Sequence, residues 1–295
     1  MVFIPLVMVL GYAAYILAAG LGAFSFNTLN VLQAGTLFLI FWLPSLAARL
    51  AAWWEGAGQA LPELAALPFR KVLRMAAAVV VVFAVIHTLI TLLGFSQPEW
   101  EMRTLANALS QELGKPLDAS SAAAVPFCGL VLMPLLSMLL GATVFAAAAL
   151  GNEWGWRGYL LPRLQFLGRR RAHFVSGLAW GLWLLPFVHA WHRSNNLEAE
   201  FLPFSLRFLA FALVFSTVLN EIFLRSHQVL LCAVCLGVFL AQLQSSWDYL
   251  FPVVNPPWTG AFGIVALAVW ALLALFPQPL VGRIENEESG MRNQE

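Results

Sequence analysis

The sequence predicts an all-α fold, a polytopic transmembrane helical bundle of about eight crossings, and three observations carry that prediction. Hydrophobic residues make up 61% of the 295 residues and charged residues only 11%, against about 25% charged in soluble domains. Mean hydropathy is +0.79. The apolar residues gather into eight runs, most of them near the roughly 20 residues that a helix needs to cross a bilayer.

Taken in order, the expected spans are Val2 to Leu21, Leu29 to Leu50, Val72 to Gly94, Val125 to Gly151, Ala172 to Ala190, Phe204 to Leu224, Val229 to Leu243 and Gly260 to Phe276. Met1, Val2 and Phe3 open the chain without a basic region or an A-x-A cleavage site, so the first run reads as a retained helix and not as a signal peptide. Pro126 and Pro134 interrupt the fourth run, which predicts a kink. No fixed-period repeat occurs, nor a matched pair of Gly/Pro-broken helices of the transporter kind.

Arginine and lysine set the expected orientation. Arg49, Arg70, Lys71 and Arg74 flank one loop, and Arg163, Arg169, Arg170 and Arg171 crowd another two crossings later. Both read as cytoplasmic. Ser96 to Ala124 and Trp191 to Leu202 carry the acids Glu99, Glu101, Glu112, Asp118, Glu198 and Glu200 and read as outer, which puts both termini in the cytoplasm. Asn286 to Glu295 reads as a disordered polar tail. Trp53, Trp54, Trp100, Trp191, Trp247 and Trp258 fall near span ends, as interfacial anchors do. Residues 1–124 are thus N-terminal membrane helices with an outer segment, 125–246 a core, and 247–295 a last membrane helix with its tail.

Composition also excludes. A net charge of +1 and no basic, aromatic-interleaved face leave nothing to grip nucleic acid. Cys128, Cys232 and Cys235 lie in apolar runs; the CxxC of Cys232 and Cys235 lacks a second cysteine pair and reads as small buried residues. There is no G-x-S-x-G, P-loop or dinucleotide fingerprint.

The chemistry-bearing segment is Gly151 to Pro162, GNEWGWRGYLLP, where Glu153 and Arg157 stand one helical turn apart after a charge-free run. A lone charge at bilayer depth costs about 2.5 to 3.5 kcal/mol on insertion scales. The two are therefore expected to satisfy one another.

GNEWGWRGYLLPRL resembles the first motif, EExxxR followed by Gly, of the CPBP intramembrane metalloproteases, the CAAX protease and bacteriocin-processing or Abi family. Ser176 to Phe187, SGLAWGLWLLPF, is similar to the second motif, an aromatic, three residues and His, with Leu-Pro following. Ser216 to Leu231, STVLNEIFLRSHQVLL, is similar to the lead-in to the third, HxxxN, and the resemblance spans Val125 to Ala241. It implies a water-activating first Glu, with two histidines and an asparagine holding metal or oxyanion.

Every one of those positions departs from the pattern. Asn152 stands in place of the first Glu, and an amide takes no proton. Leu184 replaces the second-motif His, with Trp180 as its aromatic partner. The third-motif His falls at Leu236 or Gly237 and its Asn at Leu240 or Ala241. Glu153, Arg157, Gly158, Trp183 and Pro186 keep the frame.

Other residues are weighed as substitutes. His87 reads as a hydrogen-bonded core histidine, and His173 and His227 as solvated interface. His189 and His192 are one turn apart, and His192 with Asn196 spells HxxxN, but in an outer-loop context. His189 sits about 140° around the helix from Leu184 and cannot take over its position. Glu221 with Arg225 repeats the Glu153 and Arg157 arrangement, either as a second brace or as half of a four-charge network.

The reading is a pseudoprotease of this family, inactive in hydrolysis, that binds or scaffolds membrane partners. Two alternatives stand beside it: an active intramembrane metallo-endopeptidase using Glu153 with His173, His189 or His192, and small-molecule transport along Glu153, Arg157, Glu221 and Arg225. No cofactor is expected, zinc being the one if family activity is retained. Expected partners are membrane lipids and membrane proteins or peptides, with no nucleic acid. The expected location is the bacterial inner (plasma) membrane.

Overall fold

A helix satisfies its own amides and carbonyls where no water can, so apolar runs parted by short polar loops fold as helices. The computed structural model describes residues 2–20, 31–56, 67–194, 201–252 and 258–276. Its helices are α1 (Phe3–Gly20), α2 (Val31–Trp54), α3 (Phe69–Leu92), α4 (Arg103–Leu113), α5 (Ala119–Leu167), α6 (Arg169–Ser194), α7 (Phe201–Ser226), α8 (Val229–Gln242), α9 (Trp247–Leu250) and α10 (Ile264–Leu275). No strand occurs among the described residues. The protein is an all-α polytopic bundle.

Each of the eight predicted runs is a helix. Gly35–Trp54, Phe69–Leu92, Ala119–Leu167, Leu202–Ser226 and Val229–Leu250 are long and apolar enough to cross a membrane, whereas Phe3–Ala18 and Ile264–Leu275 are shorter. α6 is long but opens on three arginines. Helix α8 is buried along nearly its whole length and forms the axis of the bundle, apolar on every side because every side meets protein.

The fourth span differs most from expectation: the helix does not stop at Gly151 but runs 49 residues to Leu167. At 1.5 Å per residue that is about 70 Å, more than twice the hydrocarbon thickness, so its ends extend past the bilayer. Wider π turns interrupt it at Cys128–Leu132, Gly141–Phe145 and Trp154–Leu160. The first directly precedes Pro134, whose missing N–H leaves a carbonyl of the preceding turn without its helical partner.

Gly151 is a contact and not a stop. A Cβ there would lie 2.6 Å from the Trp42 ring, and one at Gly155 would lie 2.5 Å from Pro44, so a G-x-x-x-G face lets α2 press directly on α5. The Trp42 indole donates to the Ala147 carbonyl at 3.2 Å across this seam. On another face, a Cβ at Gly141 would lie 2.5 Å from the Val238 Cα, and one at Gly237 would lie 2.7 Å from the Ala146 Cα. Helices α5 and α8 therefore touch backbone to backbone.

The segment 96–124, expected to be outer, forms α4 and the first turn of α5, and it packs. Met102, Leu105, Val125 and Leu250 form a small cluster beneath it, and the Glu99 amide donates to the Leu250 carbonyl at 2.7 Å. Trp53, Trp54 and Trp100 are exposed as anchors should be. Trp247 corrects that expectation: it stacks on His87 at 4.9 Å and donates to Gln242 at 2.8 Å, so it is packing. The tail and the segment 195–200 lie outside the described residues, as does the side chain of Trp191.

Two outcomes follow. Gly237→Ala should destabilise the bundle by about 1 to 3 kcal/mol through overpacking, while Gly35→Ala, with nothing within 4 Å, should leave thermal unfolding in detergent unchanged. At the start of α5, Asp118 accepts from the Ser121 amide at 2.7 Å; that bond, with the Ser120 hydroxyl, holds its carboxyl below the usual carboxylate range. The cap therefore contributes fully above the ordinary carboxylate pKa and is lost as pH falls through the depressed one. First-turn amide protection should fall only at that lower pH in the native chain, and Asp118→Asn, still a cap, should abolish the pH dependence.

Candidate functional site

Residues 152, 153 and 157 share one face of α5, and that face is turned inward against α6 and α7. Asn152, Glu153 and Arg157 are all fully buried. Arg157 Nη1 donates to Glu153 Oε1 at 2.9 Å, so the predicted pair forms. The guanidinium does more than close that pair. Its Nε donates to Asn220 Oδ1 at 3.1 Å and its Nη2 to the Ser216 hydroxyl at 2.8 Å, both on α7, while the Trp180 ring of α6 lies 5.2 Å from its carbon. One cation thus ties three helices.

The polar chain continues. Asn220 Nδ2 meets His173 Nδ1 at 3.2 Å, and His173 Nε2 meets Glu221 Oε1 at 2.9 Å. Glu221 also accepts from Arg169 through that residue's Nε and Nη2 and from Arg225 at 3.3 Å. Arg157 can only donate and a carboxylate can only accept, so every bond between them has one allowed direction. Asn220 must turn its oxygen to Arg157 and its amide to His173, which then accepts at Nδ1 and donates at Nε2. The imidazole is held neutral, because a second ring proton would leave two donors face to face.

The two pairs therefore form one network, the second of the alternatives left open by the sequence. His173 corrects its reading: it is buried, not solvated. Ser216, Asn220 and Arg169 are not among the site residues the sequence points to. A signal is present, since Ser216 and Asn220 stand at i and i+4, one turn apart in a largely apolar stretch, and polar groups in such a stretch seek partners.

Asn152 is held separately. Its Oδ1 accepts from the Trp180 indole at 3.1 Å, so the amide's one acceptor is engaged; its Nδ2 and the second oxygen of Glu153 make no hydrogen bond. Leu184 is buried one turn beyond Trp180 on α6, and Leu236 and Ala241 are buried on α8. Gly237 faces the backbone of α5, where a Cβ would also come within 2.5 Å of the Gly141 carbonyl oxygen. No histidine fits there.

Zinc needs three or four N, S or O ligands converging within about 2.3 Å. No group of three His, Cys, Asp or Glu side chains among the described residues is placed to hold a metal. At the positions the resemblance assigns to ligands the side chains are aliphatic or absent, and the one free donor is a single Glu153 oxygen. The residues do not fit a zinc site. His173 and His189 are sixteen residues apart on α6, about 24 Å along its axis, so they cannot share one; His189 is exposed, and the side chain of His192 and all of Asn196 lie outside the described residues. His87 is the core histidine expected, its Nδ1 2.8 Å from the Phe83 carbonyl. Cys232 and Cys235 are free and buried, the Cys232 thiol donating to the Leu219 carbonyl at 3.4 Å.

The network predicts an asymmetric cost. Arg157→Met leaves Glu153 buried without its cation and should destabilise the protein by about 3 to 5 kcal/mol. Glu153→Gln with Arg157→Met removes both charges and should recover a large part of that, read by denaturant titration in mixed micelles. Equal stability of the single variant and the native chain would show that the pair braces nothing.

No curated protein matches the chain. Residues 134–241, which run from the first kink of α5 to the end of α8 and contain every member of the network, match the family described as Type II CAAX prenyl endopeptidase Rce1-like. The central segment of this membrane protein, 134–241, is therefore similar to the CAAX-processing endopeptidases, the family that its motifs resemble.

Proposed function

We propose that the protein is a membrane pseudoprotease of the CAAX-processing family, which holds membrane proteins or peptides without hydrolysing them. The observation that carries this reading is Asn152: at the water-activating position stands an amide whose oxygen is bound by Trp180. Glu153 cannot step in easily, because Arg157 engages one of its oxygens and burial keeps both from solvent. The transport alternative needs a polar path through the bundle, and the fully buried Asn152, Glu153 and Arg157 argue against one. No metal and no cofactor enter the proposed function.

The proposed location is the bacterial inner membrane with both termini cytoplasmic. Supporting this orientation, contacts between Tyr159 and Glu55 at 2.9 Å and between Arg169 and Glu221 bring the arginine-rich ends of α2, α5, α6 and α7 to one side.

Protein in lipid nanodiscs should carry far less than one zinc per chain by elemental analysis. It should retain a fluorescent prenylated CAAX peptide without releasing product. One tightly held zinc per chain, together with cleavage that Glu153→Ala abolishes, would overturn the proposal.

A further inference from the structure

At the end of the bundle where α5 hands over to α6, the acids Glu55 and Glu221 are already engaged. Glu55 accepts from Tyr159 at 2.9 Å and lies 3.7 Å from Arg163, whose guanidinium covers the Tyr159 ring at 3.6 Å. Glu221 takes Arg169, Arg225 and His173. Arg170 and Arg171 are exposed, and no acid among the described residues pairs with them. On either side stand exposed aromatics: Phe166, 78% exposed on the last turn of α5, and Phe174, 57% exposed on the first turns of α6. Gly168, at φ 79°, makes the corner between the two helices.

Large exposed aromatics beside unpaired guanidinium groups make little sense facing water. They make sense at the boundary of a bilayer, where rings insert among acyl chains and arginines reach the phosphate level. Guanidinium forks suit phosphate oxygens bidentately, which a lone ammonium does not. Arg169, fixed by Glu221, anchors the first turn and leaves the next two arginines projecting from a rigid base.

We propose that Arg170 and Arg171, framed by Phe166 and Phe174, form a binding site for the phosphate headgroup of an anionic phospholipid in the adjoining leaflet. The site is separate from the buried network and independent of whether the protein hydrolyses anything. A juxtamembrane basic residue contributes about 1 kcal/mol toward anionic lipid, so loss of two should weaken enrichment roughly 30-fold.

The test is reconstitution of the full chain in vesicles of phosphatidylcholine with a small fraction of brominated phosphatidylglycerol, with lipid enrichment read by tryptophan quenching and by native mass spectrometry of retained lipid. The native chain should retain phosphatidylglycerol over phosphatidylcholine; Arg170→Gln with Arg171→Gln should lose that preference, and Phe166→Ser should weaken it. Soluble glycerol phosphate should not compete, since the aromatic frame selects the whole lipid. Arg70→Gln with Lys71→Gln serves as the comparison on the α3 end, and monodisperse elution of each variant confirms its fold. Unchanged enrichment in the Arg170 and Arg171 variant, an equal loss from the α3 variant, or displacement by glycerol phosphate would each overturn the site.

Discussion

The guanidinium of Arg157 is the constraint around which the core of this protein is arranged. An ion of that size taken from water into a medium of low dielectric costs on the order of 20 kcal/mol in the idealised limit. Fully buried in the bundle, it has no solvent at hand to relieve it. The chain answers with a carboxylate on the same helix, a hydroxyl and an amide from α7, and an aromatic face from α6. Those partners come from three helices, so meeting the demand of one charge fixes how α5, α6 and α7 are placed. Packing in lipid is otherwise weakly directional. A single buried cation supplies the direction.

The same arrangement gives the motif residues Glu153 and Arg157 a structural use of their own. Glu153 and Arg157 are useful without any chemistry, because removing either leaves the other stranded. Asn152 and Leu184 carry no such obligation. Trp180 has been drawn into the structural role, donating to Asn152 and covering Arg157 at once. On the far side, Gly141 and Gly237 let α8 approach α5 until backbones touch. A histidine at 237 would have to push those helices apart. At position 237 the helix spacing itself leaves no room for an imidazole.

Much of the fold could be read from the chain because its determinants are local: apolar length gives helices, and arginine clusters mark one end. The Glu153 and Arg157 pair was legible for the same reason, both members lying on one helix turn. What escaped was non-local. His173 stands beside three arginines and reads as surface; only the fold shows that Glu221, 48 residues on, turns it inward. Gly151 resembles a helix end, and only Trp42 pressed against it shows otherwise. Trp247 near a span boundary resembles an interfacial anchor until His87 is found stacked beneath it.

The direction of hydrogen bonding gives the network its final property. A chain that begins at an obligatory donor and ends at an obligatory acceptor has one arrangement of protons, so Asn220 and His173 have no freedom to reorient independently. Water-filled relays work because their groups can reverse; this one cannot. Three helices are therefore held by a set of bonds that is satisfied in this register, and a slip of a helix by a residue would part donors from acceptors. In the hydrocarbon such a mismatch has no solvent to repair it. The polar seam acts as a register lock for a bundle whose apolar surfaces alone would tolerate several.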